Sequence, residues 1–77
     1  MTLDKLNIGD KAVIKAVNCD NELKNRFYSF GMVKESIITV EEITLTRSTM
    51  EIRIKNTKVA IRFSEAAKIE IEIVNEK

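Results

Sequence analysis

Apolar and polar residues alternate along most of this chain, the period-two rhythm of strands with one buried and one solvated face. Eleven Ile, six Val and six Thr supply 23 β-branched residues, the types that fit a pleated, half-buried surface. The pattern predicts strands at about Lys11 to Val17, Ser36 to Leu45, Met50 to Lys55, Lys58 to Phe63 and Ile69 to Val74. Five short strands predict a mainly β domain built as a small barrel. The sharpest expectation is the hairpin from Met50 to Phe63. Placing Asn56 and Thr57 as a two-residue turn sets Ile54 against Val59, Ile52 against Ile61 and Met50 against Phe63, an apolar face for the core. The other face then sets Glu51 against Arg62 and Arg53 against Ala60, with Lys55 and Lys58 beside the turn. Thr57 resists the positive φ that such a turn asks for, so a slightly longer turn is the alternative.

One segment breaks the rhythm. Leu23, Phe27 and Phe30 recur at i, i+4 and i+7, which predicts a helix from about Asn21 to Phe30 with all three on its inner face. Asp20 or Asn21 is placed to cap the first turn, Glu22 and Arg26 stand in the favourable i, i+4 order, and Gly31 is placed to end the helix. A second helical turn is expected at Ser64 to Lys68, with Ser64 as cap and Ala66 and Ala67 as buried contacts. In the last strand Ile69, Ile71 and Ile73 should point inward, with Glu70 and Glu72 outward to protect an edge. Asn75 to Lys77 read as a frayed end.

Length allows one domain, spanning residues 1 to 77, and no repeat or linker divides it. Thirteen Lys and Arg against twelve Asp and Glu leave a net charge of +1, too little for the broad positive field of a non-specific nucleic-acid binder. Only Tyr28 is a candidate exposed aromatic for stacking on bases. The chain has no histidine, which removes the commonest general base and metal ligand and every Ser-His or Cys-His arrangement. An enzyme is therefore not expected. Cys19 is the single cysteine, so no intrachain disulfide can form and a reducing, cytoplasmic compartment fits. No apolar run reaches the length of a membrane span or signal-peptide core.

The punctuating residues then carry a family resemblance. Leu6, Ile8 and Gly9 precede the first strand; Arg26, Phe27, Phe30, Gly31 and Met32 cross the helix end; Val59, Ala60, Ile61 and Arg62 follow the hairpin turn; Glu65, Ala66 and Ile69 lead into the last strand. In this order and spacing the chain resembles the FeoA family, small accessory proteins of bacterial ferrous iron transport. The resemblance implies an SH3-like barrel with the helix inserted after the first strand. It implies iron homeostasis as the setting, transition-metal binding as a family-level association, and as partner the cytoplasmic GTP-binding domain of the FeoB transporter. Where the family commonly has proline and glycine after the helix end, this chain has Lys34 and Glu35.

No cofactor and no metal site are expected from the residues themselves. Cys19 has no second soft ligand, and Glu41, Glu42, Glu70 and Glu72 read as solvated strand faces, a poor match to ferrous iron without histidine. The residues that invite a partner are Arg26, Tyr28, Met32 and Val33, since aromatic, Met and Arg side chains are enriched at interface cores. Met32 and Val33 either join Tyr28 in an exposed patch or fasten the helix end to the barrel. Arg53 and Arg62 form a secondary candidate surface, with pairing to Glu51 as the plain account of Arg62. The reading that follows is a non-catalytic, accessory interaction module without direct membrane insertion. Its rival is the SH3-like domain of an iron- or manganese-dependent transcriptional repressor, which would need DNA-binding and metal-binding regions upstream of Met1.

Overall fold

The structure is a computed structural model and describes residues 1–74; the expectation for Asn75 to Lys77 lies outside the described residues. After a 3-10 turn at Leu3–Lys5 come β1 (Lys11–Val17), α1 (Asn21–Ser29), β2 (Ile37–Ile43), β3 (Thr49–Ile54), β4 (Thr57–Arg62), α2 (Phe63–Ala66) and β5 (Ile69–Ile73). All strands join one antiparallel sheet in the order β4-β3-β2-β1-β5. Register irregularities at Ile14/Ala16 in β1 and Val40/Glu42 in β2 bend the sheet around its apolar face. That face supplies Ile14, Ile38, Val40, Met50, Ile52, Ile54, Ile61 and Ile69, each at most 1% exposed. Leu3 and Leu6 of the N-terminal segment close the core from one side and Phe27 of α1 adds a fully buried ring. The alternation in sequence is thus the inside and outside of a bent sheet.

The hairpin forms in a register two residues from the expected one. Ile54 stands opposite Thr57, Ile52 opposite Val59, Met50 opposite Ile61, Glu51 opposite Ala60 and Thr49 opposite Arg62. The turn is Lys55 and Asn56, with Lys55 at φ 55°. Lys is unbranched at Cβ and takes that conformation more readily than Thr57, which stays extended as the first residue of β4. A slip of two residues preserves parity, so Met50, Ile52, Ile54, Val59 and Ile61 all remain buried. The ion pairs do change. Glu51 meets Lys58 at 3.1 Å rather than Arg62, Arg53 stands across from Lys58 rather than Ala60, and Phe63 leaves the strand to open α2.

Three further expectations are corrected. Leu23 and Phe30 are only partly buried against the core, because Leu23 lies in the first turn of α1 and Phe30 is its C-cap, while Phe27 between them is the residue seated deepest. In α2 the N-cap is Arg62, whose N–H donates to the Glu65 carboxylate at 3.0 Å; Ser64 is not the cap, and Ala67 is exposed while Ala66 is buried. Ile73 is 45% exposed, since it ends the strand and its ladder neighbour on β1 is the small Ala12. The edge of β5 is covered by backbone: Ile71 N–H donates to Met1 C=O at 2.8 Å and Thr2 bridges Glu70.

Candidate functional site

The end of α1 and its following loop hold the principal candidate residues, and Gly31 shapes both. Asp20 caps the helix start, its carboxylate accepting the Leu23 N–H at 2.9 Å. At the other end Gly31 takes φ 90°. The Met32 N–H then donates to Phe27 C=O at 3.0 Å and the Gly31 N–H to Tyr28 C=O at 3.0 Å. These two bonds make a Schellman cap, which brings the residue after the glycine back against the third helical residue from the end. Here those residues are Met32 and Phe27, both fully buried. Met32 is therefore core, and the exposed patch expected from it does not include it: the apolar contact of the cap has claimed the side chain. Val33, one residue on, is 42% exposed, and Tyr28 is 45% exposed.

Arg26 and Tyr28 are not neighbours. Two helical positions differ by about 200° of rotation, so their side chains leave α1 on different sides. The Arg26 guanidinium lies 5.9 Å from the Phe30 ring centre and 3.6 Å from the Glu65 carboxylate of α2. The helix's own Glu22, the expected partner, is thus displaced by an acid that the fold brings over from α2. Arg26 shares a shallow depression with Asp20, Glu22 and Leu23. Tyr28 and Val33 remain as the exposed apolar elements of the helix end.

The loop from Gly31 to Ser36 is fixed at both ends. Ser36 Oγ donates to Gly31 C=O at 2.9 Å, Ser36 N–H to Val33 C=O at 3.0 Å, and Glu35 N–H to Ile14 C=O at 2.7 Å. Glu35 sits at φ 75°. It thereby adopts the left-handed conformation for which glycine is the default residue, at the place where FeoA sequences commonly have one.

The secondary pair is spread along the outer face of the hairpin. Arg53 is held at 3.3 Å by Glu41, whereas Arg62 lies across from Thr49, four residues along the hairpin and about 13 Å away at strand spacing. Sequence reasoning missed three exposed apolar side chains, Ile8, Ile37 and Leu45, which are 58%, 56% and 103% exposed. Ile37 shares the outward phase of Thr39, while Ile8 precedes β1 and Leu45 follows β2, so none of the three stands at an inward strand position. Cys19 packs at the edge of the core, where burial, and then the neighbouring Asp20, push its thiol above the ordinary value. Among the described residues no three His, Cys, Asp or Glu side chains gather in a metal-holding group, and no helix is long and apolar enough to cross a membrane.

A bent five-stranded sheet with a capped helix inserted after its first strand defines an SH3-like module of the FeoA type. Residues 1–73 match the FeoA domain model, and the chain belongs to that family. It is 35% identical over 74 residues to a Fe(2+) transport protein A of Campylobacter jejuni, covering 96% of this chain and 100% of that one. A Porphyromonas gingivalis protein that fuses Fe(2+) transport protein A to the transporter FeoB is 35% identical over 75 residues, covering 97% of this chain and 9% of the fusion. Among solved structures, Chlorobium tepidum FeoA superposes with a TM-score of 0.93 at 23% identity, covering 97% of this chain and 71% of that one. Stenotrophomonas maltophilia FeoA, described as an SH3 domain protein and solved with zinc, gives 0.82 at 22% identity, covering 94% and 89%. A manganese-dependent transcriptional repressor gives 0.87 at 17% identity, with 96% of this chain on 36% of that one, so the fold extends to metal-dependent regulators.

Proposed function

We propose that this chain, as one FeoA-like module, is a non-catalytic accessory protein of ferrous iron uptake that binds the cytoplasmic GTP-binding domain of a FeoB-type transporter. The observation that carries this reading is the fusion in which a segment matching 97% of this chain is joined to FeoB, since covalent linkage keeps two functional partners at high effective concentration. The rival, a repressor's SH3-like domain, is supported by fold alone at 17% identity, whereas Fe(2+) transport protein A matches along its whole length at 35%. In this reading the protein works in the cytoplasm, binds no nucleic acid and does not insert into the membrane.

The contact surface in this reading is the end of α1, with Tyr28 and Val33 touching the partner and Met32 holding the loop in place from beneath, while Arg26, paired with Glu65 on another side of the helix, lies outside it. Tyr28 and Val33 offer exposed apolar area without disturbing the core. Calorimetric titration against the transporter's cytoplasmic domain tests both claims. Saturable binding, weakened by Tyr28→Ala at unchanged thermal stability, supports them. Unchanged affinity for a folded Tyr28→Ala would move the contact to the outer strand face near Arg53 and Arg62.

A further inference from the structure

We propose that the outer face of β1, β2 and β3 carries a basic cleft that binds a carboxylate-rich, extended segment of a partner polypeptide. The cleft has a volume of about 550 Å³. Its cations come from four separate places: Lys11 on β1, Arg53 on β3, Lys34 on the loop after α1 and Lys55 in the hairpin turn. Register explains the convergence. Lys11 stands opposite Thr39 and Thr39 opposite Arg53, so the three form one row across the sheet. The only carboxylate lining the cleft among the described residues is Glu35, and it is drawn sideways to Lys15 at 3.5 Å. In a chain whose net charge is +1, this is a local concentration of positive charge.

Two local costs coincide with that charge. Arg53 stands directly opposite Lys58 in the β3–β4 ladder, a like-charge arrangement that destabilises a sheet. Glu41 at 3.3 Å and Glu51 at 3.1 Å offset it only at the surface, where ion pairs contribute little. Lys55 holds φ 55°, where a side chain costs roughly 1–2 kcal/mol relative to the right-handed region.

The spacing of the groups selects the ligand. Lys11 and Arg53 are two strand spacings apart, about 10 Å between backbones, so with Lys34 and Lys55 the cations make an elongated surface wider than one phosphate group. The backbone N–H groups of Glu35 and Ser36, which could otherwise cradle a phosphate, are already spent on Ile14 and Val33 carbonyls. An extended peptide places side chains of one face about 7 Å apart, so alternate carboxylates can reach successive cations. Its intervening apolar residues would cover Ile37, which lines the cleft and is 56% exposed. None of this depends on which protein carries the segment, so the inference stands apart from the transporter reading.

The test is an amide-shift titration of the isotope-labelled full chain with a capped peptide of alternating glutamate and leucine, run beside its glutamine analogue and inorganic phosphate. The expected result is saturable movement of the Ile37, Thr39 and Arg53 amides by the acidic peptide alone. Affinity should fall about tenfold in the Lys34→Gln, Arg53→Gln double variant, equivalent to about 1.4 kcal/mol, and fall again with added salt. Lys34→Gln alone changes a loop side chain and should weaken binding at unchanged thermal stability; Lys68→Gln, outside the cleft, should leave it unchanged. Equal response to the glutamine analogue or to phosphate, no localised movement, or undiminished binding by the folded double variant would overturn the proposal.

Discussion

At Gly31 one left-handed residue decides what its neighbours can do. A Cβ there would meet only Ile54 at an ordinary 3.7 Å, so space is not the constraint; φ 90° is. Gly31→Ala should cost about 1–2 kcal/mol, read from the midpoint of urea unfolding. The cap that Gly31 closes also assigns opposite roles to two candidates. Met32→Ala removes a fully buried side chain and should cost about 2–5 kcal/mol, whereas Tyr28→Ala, on an exposed position, should stay within about 0.5 kcal/mol of the parent. Paired thermal melts check the contrast. Cys19 offers a pH test. Its thiol is raised in the folded state, so the native chain holds that proton more tightly than the unfolded one. The associated stability is complete below the unfolded pKa and is lost as pH rises through the higher folded one. Alkylation of Cys19 should accordingly be slow at neutral pH and accelerate only in alkali, above the range of an unfolded control.

Elements were legible where a single segment carries its own signal. The strand β1 runs Lys11–Val17 and α1 starts at Asn21 behind an Asp20 cap, as alternation and capping chemistry require. The hairpin faces were also legible, because period two cannot bury Met50, Ile52 and Ile54 without exposing Glu51 and Arg53. Its register was not. Two registers differing by two residues bury the same side chains, and the choice falls to which residue accepts positive φ in the turn. Lys55 accepts it at a cost that glycine would avoid. Lys55→Gly should therefore stabilise the hairpin by about 0.5 kcal/mol, the relief of about 1–2 kcal/mol less about 0.5–1 kcal/mol for glycine's extra freedom when unfolded. A rise in the unfolding midpoint checks it; a fall would mean that Lys55 is not strained.

At the scale of the whole molecule, the candidate surfaces depend on contacts between distant parts of the chain, and this is why sequence placed them only in part. Arg26 was expected beside Glu22 and is held by Glu65, 39 positions away, which the fold brings within 3.6 Å. The row from Lys11 through Thr39 to Arg53 exists only when three strands are in register. By contrast, the absence of histidine and the single thiol are legible at any register.

The central claim is that this FeoA module binds the cytoplasmic GTP-binding domain of a FeoB-type transporter through the exposed end of α1. The direct measurement is the dissociation constant of that complex by calorimetry for the parent chain and for a Tyr28→Ala, Val33→Ser variant, with melting temperatures recorded alongside. The account predicts saturable one-to-one binding by the parent and an affinity about tenfold weaker or worse in the variant, at nearly unchanged melting temperature. A folded parent chain that shows no saturable binding to that domain would contradict it.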